Sequence, residues 1–495
     1  MVPADSPSRR RTEPAWWPST VTVTDEQIKE TAGTAERSPS DDIRHRLSRR
    51  FPRGATMLIL TALVVILSGL HVHSYTVISP FDENAHIDRM IRASRFEFVH
   101  PDDEASQESL HEVACRGSEI VLLPGLLEGS YDPNAWPPCM EGRYDPEGFT
   151  YKGWNSASGN PPYYYFLTGV PARGLSDLPP IGSIVTWGRL LGSLWLLVGI
   201  YFVVRAAEYF SIRRLPLVLG VALVIASPSL LHASNVINTD ASAFAAGAAV
   251  LLAGLAWERS RAPLWLLAVA AAACASLDNT NALGVVIVLF YFLIRAVASR
   301  GDERLGPARS WRDYLVAGLV AAASAAIAIL AWRIVYQLVA HDVDLSEAPW
   351  VTGFRVEHLD LEMVLGEDTI FGVFPPLDGF IPPVLSTTMY ELFAQAALIL
   401  AGGMLIAASV RAKLADRLSA LSLATVAALV LTPVMFVIYN YVSWGVFFHI
   451  LPRTALAALP AIAIVAAAMA RTRFGVAVLG IVATGLYLSA AISLL

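Results

Sequence analysis

Charge is scarce in this chain. Only 16% of its 495 residues are Asp, Glu, Lys or Arg, while 55% are hydrophobic. Soluble domains carry about 25% charged residues, so the deficit excludes an ordinary soluble enzyme and implies a polytopic membrane protein. The net charge of -6 says little, because the charges are unevenly placed. Basic residues are scattered or juxtamembrane, which excludes nucleic acid as a partner. An internal repeat is missing, which weakens any transporter built from duplicated halves. A cleavable signal is missing too: about fifty polar residues precede the first apolar run, and no small-residue cleavage site follows it. Met57 to Ser74 therefore reads as an uncleaved signal anchor.

What is present is a series of apolar runs. About eleven helices are expected, near 57–74, 185–206, 214–232, 240–257, 263–277, 281–298, 314–338, 389–410, 419–439, 453–470 and 474–494, each near the roughly 20 residues that span a bilayer. Residues 1–53 are rich in Ser, Thr, Pro, Arg and Glu and read as a disordered cytoplasmic tail. Arg44, Arg46, Arg49, Arg50 and Arg53 stand before the first helix and hold the N-terminus inside. Arg213 and Arg214, Arg259 and Arg261, Arg300 to Arg312, Arg411 to Arg417, and Arg471 and Arg473 mark the inner loops. The C-terminus is then outside, in a plasma membrane. The Ala-, Arg- and Val-rich usage points to a bacterial chain.

The all-α domain 54–495 carries two long outer loops, 75–184 and 339–388, the second with Trp350, Phe371, Phe374, Pro375 and Pro376. Loops this long are functional or disordered, and the aromatic and proline content favours packed structure. Of three cysteines, Cys115 and Cys139 share the first loop. An oxidising compartment suggests a disulfide between them, stabilising by about 3 kcal/mol in the chain-entropy model; the alternative is two free thiols. Cys274 reads as a small buried apolar residue.

Ser79-Pro80-Phe81-Asp82-Glu83-Asn84-Ala85-His86 follows the first helix closely. Its plain reading is a helix start, with Ser79 as N-cap, Pro80 at the first position and Asp82 at the third. Ile87, Met90 and Ile91 then form an apolar stripe. The functional reading uses the same helix. His86 shares a face with Asp82 and Glu83, and Arg89 lies a turn further. An acidic pair at this depth is costly unless used.

Other polar groups gather on the same side. Tyr163 and Tyr164, in Asn160-Pro161-Pro162-Tyr163-Tyr164-Tyr165, belong to an aromatic belt or grip a sugar or phosphate. Asn238 and Asp240 join helices three and four, where Asp240 can serve as N-cap. Asp278 opens a tight turn explained by Asx chemistry. Arg453 is basic on the outer side, so it either snorkels or clamps a phosphate. Arg333 inside helix seven needs a partner and suggests an acidic one. No tight His/Asp cluster demands a metal, although a divalent ion is compatible.

In this order the residues resemble GT-C-type membrane glycosyltransferases that use polyprenyl-phosphate sugars. Asp82-Glu83-Asn84-Ala85-His86 resembles the Asp-Glu-X-Ala-His form of a bacterial subgroup of predicted members. Asn160-Pro161-Pro162-Tyr163-Tyr164 is similar to its His-Pro-Pro-X-Tyr-Tyr segment, with Asn160 where His is common. Trp187-Gly188-Arg189-Leu190-Leu191-Gly192 looks like its Arg-Leu opening of helix two. Asn238-Thr239-Asp240 resembles its Asn-X-Asp motif, and Arg453 an Arg usually followed by Tyr, here Thr454. Asp278-Asn279-Thr280 stands where a lysine-containing pattern is common. The likeness covers helices one to six and ten.

The resemblance implies an inverting glycosyltransferase on the outer face. Its donor would be a polyprenyl-phosphate sugar in the membrane lipid, and its acceptor an envelope glycan, lipid or protein. Asp82 would be the base and Glu83 its alternate. His86, Arg89, Tyr163, Tyr164, Asn238, Asp240, Asp278 and Arg453 would bind substrate, with no cofactor required. A transporter or flippase of a lipid-linked glycan instead needs charged residues and broken helices near mid-membrane. A non-catalytic envelope-assembly scaffold would use the acidic motif only as a cap.

Overall fold

The computed structural model describes residues 53–495 except 81, 101, 118–135, 180, 302–308, 340–347, 367–368, 371–373, 375, 412–415 and 449. The tail expected to be disordered lies outside the described residues apart from Arg53, as do Phe371 and Pro375 of the second loop. The chain is all-helical, and among the described residues β-pairing is limited to isolated bridges.

The first helix, α1, covers Arg53–Ser74. The first long loop then folds as α2 (Glu83–Ser94), α3 (Gln107–Arg116), three short 3-10 turns between 146 and 159, and α4 (Tyr163–Ser176). Next come α5 (Ile184–Ala207), α6 (Arg214–Ile225), α7 (Pro228–Ala233), α8 (Ala243–Glu258), α9 (Leu264–Leu277), α10 (Ala282–Gly301) and α11 (Trp311–Val339). The second loop holds α12 (Pro349–Thr352) and α13 (Leu361–Leu365), followed by α14 (Thr388–Val410), α15 (Arg417–Trp444), α16 (Leu459–Met469) and α17 (Arg473–Leu494).

Among the described residues, nine helices are long and apolar enough to cross a membrane. The other two expected spans are shorter. At a rise of about 1.5 Å per residue, the 12 residues of α6 and 14 of α9 fall well short of the roughly 30 Å hydrocarbon core. The span expected at 214–232 breaks at Ser227-Pro228, where Pro228 opens α7 and has no N–H to continue α6. Large apolar side chains such as Leu58, Val65, Ile327, Ile399, Phe474 and Ile481 are exposed around the bundle, as a lipid-facing surface requires.

Small residues decide which helices are central. The apolar windows of α8 and of the segment Pro452–Met469 are 89% and 72% buried, against 22% for α11. Both are rich in Ala, and α8 adds Gly247 and Gly254, which lets backbones approach closely in lipid. A Cβ on Gly247 of α8 would stand 2.1 Å from the carbonyl oxygen of Ala457. Only glycine permits that crossing, and it seats the 3-10 turn Pro452–Ala458 that carries Arg453.

The first loop has its own core, built from Ile87, Met90, Ile91, Leu110, Val113, Tyr144 and Phe149. The stripe Ile87, Met90 and Ile91 is fully buried. A Cβ on Gly169 of α4 would meet the Met90 carbonyl at 2.5 Å, so α2 and α4 touch backbone to backbone. A disulfide joins Cys115 to Cys139, and a bridge joins Glu104 to Trp154. Cys274 is buried. The second loop is tied down by a bridge between Arg355 and Val446 and by the Phe354 and Phe448 rings, 4.8 Å apart.

Candidate functional site

Asp82 does not occupy the position the helix-start reading gives it. It is itself the N-cap of α2, in the left-handed region at φ 60, ψ 10, and its side chain makes no cap bond. Ser79 is not the cap; its backbone N–H instead donates to Glu83 Oε2 at 2.7 Å. The left-handed turn separates the two acids. Asp82 remains 43% exposed at its side chain, and Arg453 Nη2 lies 3.5 Å from its Oδ2. Glu83 is fully buried.

Both oxygens of Glu83 are taken. Arg189 of α5 donates from Nε to Oε1 at 2.9 Å and from Nη2 to Oε2 at 2.7 Å. The backbone N–H of Ile237 donates to Oε1 at 2.8 Å. Arg189 also donates to the carbonyls of Tyr75 and Val77, each at 2.6 Å. Hydrogen bonds around one fork-shaped ion pair thus tie the segment after α1, the start of α2, the stretch between α7 and α8, and α5 together. The pairing of Asp82 and Glu83 as interchangeable bases does not fit this geometry: one carboxylate is reachable, the other is locked. Arg189 entered the sequence reading only within the Arg-Leu opening of the second helix, with no site role. Its signal was a lone charge inside an apolar run, which needs a partner in a membrane.

Arg453 is the hub of the reachable part. Its Nη2 faces Asp82, and its Nη1 lies 3.6 Å from Asp240 Oδ2. Asp240 does not cap its helix. Asn238 does so, with Oδ1 accepting the Asp240 N–H at 3.0 Å, which leaves the Asp240 carboxylate to Arg453. Asp278 behaves as an Asx residue, accepting from the Thr280 N–H at 2.8 Å and the Thr280 hydroxyl at 2.7 Å. Its other oxygen accepts from Thr239, fastening the two turns beneath Arg453. Asp278 is buried and supports the loop 238–240.

The tyrosine assignment shifts by register. Tyr163 is 55% exposed, whereas Tyr164 and Tyr165 are fully buried. Tyr165, not Tyr163, joins the site: its hydroxyl lies 2.7 Å from His86 Nδ1, and the two rings stack. Burial, with Arg453 and Arg89 nearby, pushes the His86 pKa down to about 3, so the ring is neutral. Arg89 is buried, donates to the Asn160 carbonyl, and lies over the Tyr165 and Trp332 rings at 5.1 and 5.9 Å. Its Nε and Nη1 have no hydrogen-bond partner among the described residues. Desolvation lowers the Arg89 pKa, partly offset by Tyr165, Tyr336 and Asp88. Arg333 meets the Tyr439 hydroxyl rather than an acid.

Chemically, the site offers one accessible carboxylate, one guanidinium bridging two carboxylates, and a neutral imidazole. It lies at the end of the helix bundle from which the first long loop leaves. A guanidinium so placed suits a phosphate, and a half-exposed carboxylate suits proton removal.

No protein-family model matches the chain, and no curated protein matches it. In shape it is similar to the crystal structure of ArnT from Cupriavidus metallidurans bound to undecaprenyl phosphate, with a TM-score of 0.48, 11% identity, and coverage of 90% of this chain and 77% of that one. The apo structure of the same ArnT gives a TM-score of 0.46, 13% identity, and coverage of 88% and 76%.

Proposed function

We propose that the protein is a membrane glycosyltransferase that moves a sugar from a polyprenyl-phosphate donor to a cell-envelope acceptor, with inversion at the anomeric carbon. The observation that carries this reading is the placement of Arg453 between the exposed Asp82 and the buried Asp240 at one end of the bundle. Asp82 takes the proton of the acceptor hydroxyl, which attacks the anomeric carbon and expels the polyprenyl phosphate. The leaving phosphate already carries its charge, so Arg453 stabilises it without a protonating acid. Glu83 and Arg189 hold Asp82 in place rather than react.

Sidedness follows from charge. The loops at the opposite end of the bundle carry Arg213, Arg214, Arg259, Arg261, Arg309, Arg471 and Arg473, and such residues stay cytoplasmic. The site is then extracytoplasmic in a bacterial plasma membrane, where a lipid-linked sugar presents its head group. The polar groups gather at helix ends rather than at mid-membrane, which disfavours the transporter reading.

The test is sugar transfer by purified protein from a radiolabelled polyprenyl-phosphate sugar to a crude envelope fraction. Wild-type protein should release polyprenyl phosphate, and Asp82→Asn should lose roughly 100- to 10,000-fold in rate, the usual share of a general base. Full turnover in Asp82→Asn removes the assigned base.

A further inference from the structure

Asn160, Tyr165 and His86 form a directed chain of hydrogen bonds along the wall of the site. Asn160 Nδ2 donates to the Tyr165 hydroxyl at 3.2 Å. That hydroxyl lies 2.7 Å from His86 Nδ1. A side-chain amide nitrogen only donates, so the Tyr165 oxygen is the acceptor in the first bond and keeps its own proton for the second. A phenol oxygen can accept twice, but if His86 Nδ1 donated, the buried Tyr165 proton would have no acceptor among the described residues; Nδ1 therefore accepts, and the ring proton of the neutral imidazole sits on Nε2. Tyr165 is fully buried and His86 is 5% exposed, so water does not compete for the chain. The stacked rings, at 18° between planes, hold the imidazole in one orientation.

The charges around His86 indicate what Nε2–H meets. Arg89 lies one turn along α2, and Arg453 approaches from the turn Pro452–Ala458; both act on the ring. Tyr165 is the facing group from α4. Glu83 is turned away to Arg189, and Asp82 and Asp240 flank Arg453 on its other contacts. Two guanidiniums favour an anionic oxygen beside the ring and disfavour a second proton on it.

We propose that Asn160 and Tyr165 are positioning residues that fix His86 as a neutral Nε2–H donor, and that His86 donates to a phosphate oxygen of the lipid-linked donor beside Arg453. This rests on the glycosyltransferase reading above. It gives His86 no part in moving protons, a task left to Asp82. It also gives a reason for asparagine at position 160: an acceptor there would take the tyrosine proton and reverse the whole chain.

The test reads the tautomer directly. Full-length protein labelled with 15N-histidine in nanodiscs is compared with His86→Gln, so that the difference spectrum isolates His86. The expected result is an Nε2–H ring at neutral pH, whose signal moves when a polyprenyl phosphate is added. Asn160→Asp should convert it to the Nδ1–H form. In sugar transfer, His86→Gln keeps an amide N–H near the Nε2 position, while His86→Asn keeps only the atom on the Nδ1 side. His86→Asn should lose roughly 10- to 100-fold in kcat/KM for the donor, the share of one hydrogen bond to a charged group, and His86→Gln should retain most of it. An Nδ1–H ring in the wild type, a signal that polyprenyl phosphate leaves unmoved, or a loss confined to the KM of the acceptor would each overturn the proposal. The tautomer and the lipid-induced shift need no turnover, so they separate this proposal from the transferase reading itself.

Discussion

Asp82 carries a cost that its contacts do not repay. A left-handed non-glycine residue is disfavoured by roughly 1–2 kcal/mol, and the partly exposed pair with Arg453 is worth about 0–1 kcal/mol. Such strain persists where the surroundings enforce it, often at sites of function. Asp82→Gly should therefore fold at least as stably as the wild type, with a raised or unchanged unfolding midpoint in detergent, yet lose sugar transfer. A marked fall in midpoint would make Asp82 a structural residue. His86 gives a pH signature at the same scale. Its pKa is about 3 in the folded chain and about 6.5 unfolded. Between these values the unfolded chain binds a proton that the folded chain does not, so this contribution falls as pH drops through the window and is flat above it. Unfolding midpoints from pH 7.5 to 4.5 should decline more steeply in wild type than in His86→Gln. Residue roles were only partly legible in sequence. Asp82 and Arg453 were marked by odd placement of charge, and His86 by its helical spacing from Asp82 and Glu83. Tyr165 was missed because a run of three tyrosines does not reveal its own helical register.

At the scale of elements, the ion pair of Glu83 and Arg189 sets where α2 begins. Four donors reach one buried carboxylate from three separate segments. Breaking a buried pair by removing one partner costs about 3–5 kcal/mol, because the other charge is left unpaired. Glu83→Gln should therefore lower the unfolding midpoint and expose the start of α2 to proteolysis, in contrast to Asp82→Asn. Equal stability of the two variants would contradict the division of labour. The helices themselves were legible as apolar runs. The break at Ser227-Pro228 was written in the sequence as a proline inside an apolar run, and a hydropathy average passes over it. The backbone contact between Gly247 and Ala457 was not legible, since it joins residues from α8 and the turn before α16.

Across the whole molecule, polar groups concentrate at the two ends of an apolar bundle. The end opposite the site has its own lock. Glu258 is fully buried. Its Oε1 accepts from Arg295 at 3.1 Å and from the Tyr314 hydroxyl at 2.8 Å; its Oε2 accepts from the Tyr291 hydroxyl at 2.8 Å. Arg417 Nε lies 3.2 Å from the same oxygen. This cluster joins α8, α10, α11 and α15 far from Arg453. Glu258→Ala should destabilise the bundle by about 3–5 kcal/mol, read as a lower midpoint and yield, while the donor KM of the protein that does fold stays unchanged. A specific loss of donor affinity would tie the cluster to the site instead.

Arg453 is proposed to receive the phosphate of a polyprenyl carrier, with Asp82 open beside it. A cryo-EM structure of the protein in nanodiscs with a polyprenyl phosphate tests this most directly. Phosphate oxygens are expected within hydrogen-bond distance of the Arg453 guanidinium and of His86 Nε2, with the Asp82 carboxylate facing the space a sugar would fill. A phosphate bound elsewhere on the bundle, with Arg453 still paired to Asp82 and Asp240, would contradict it.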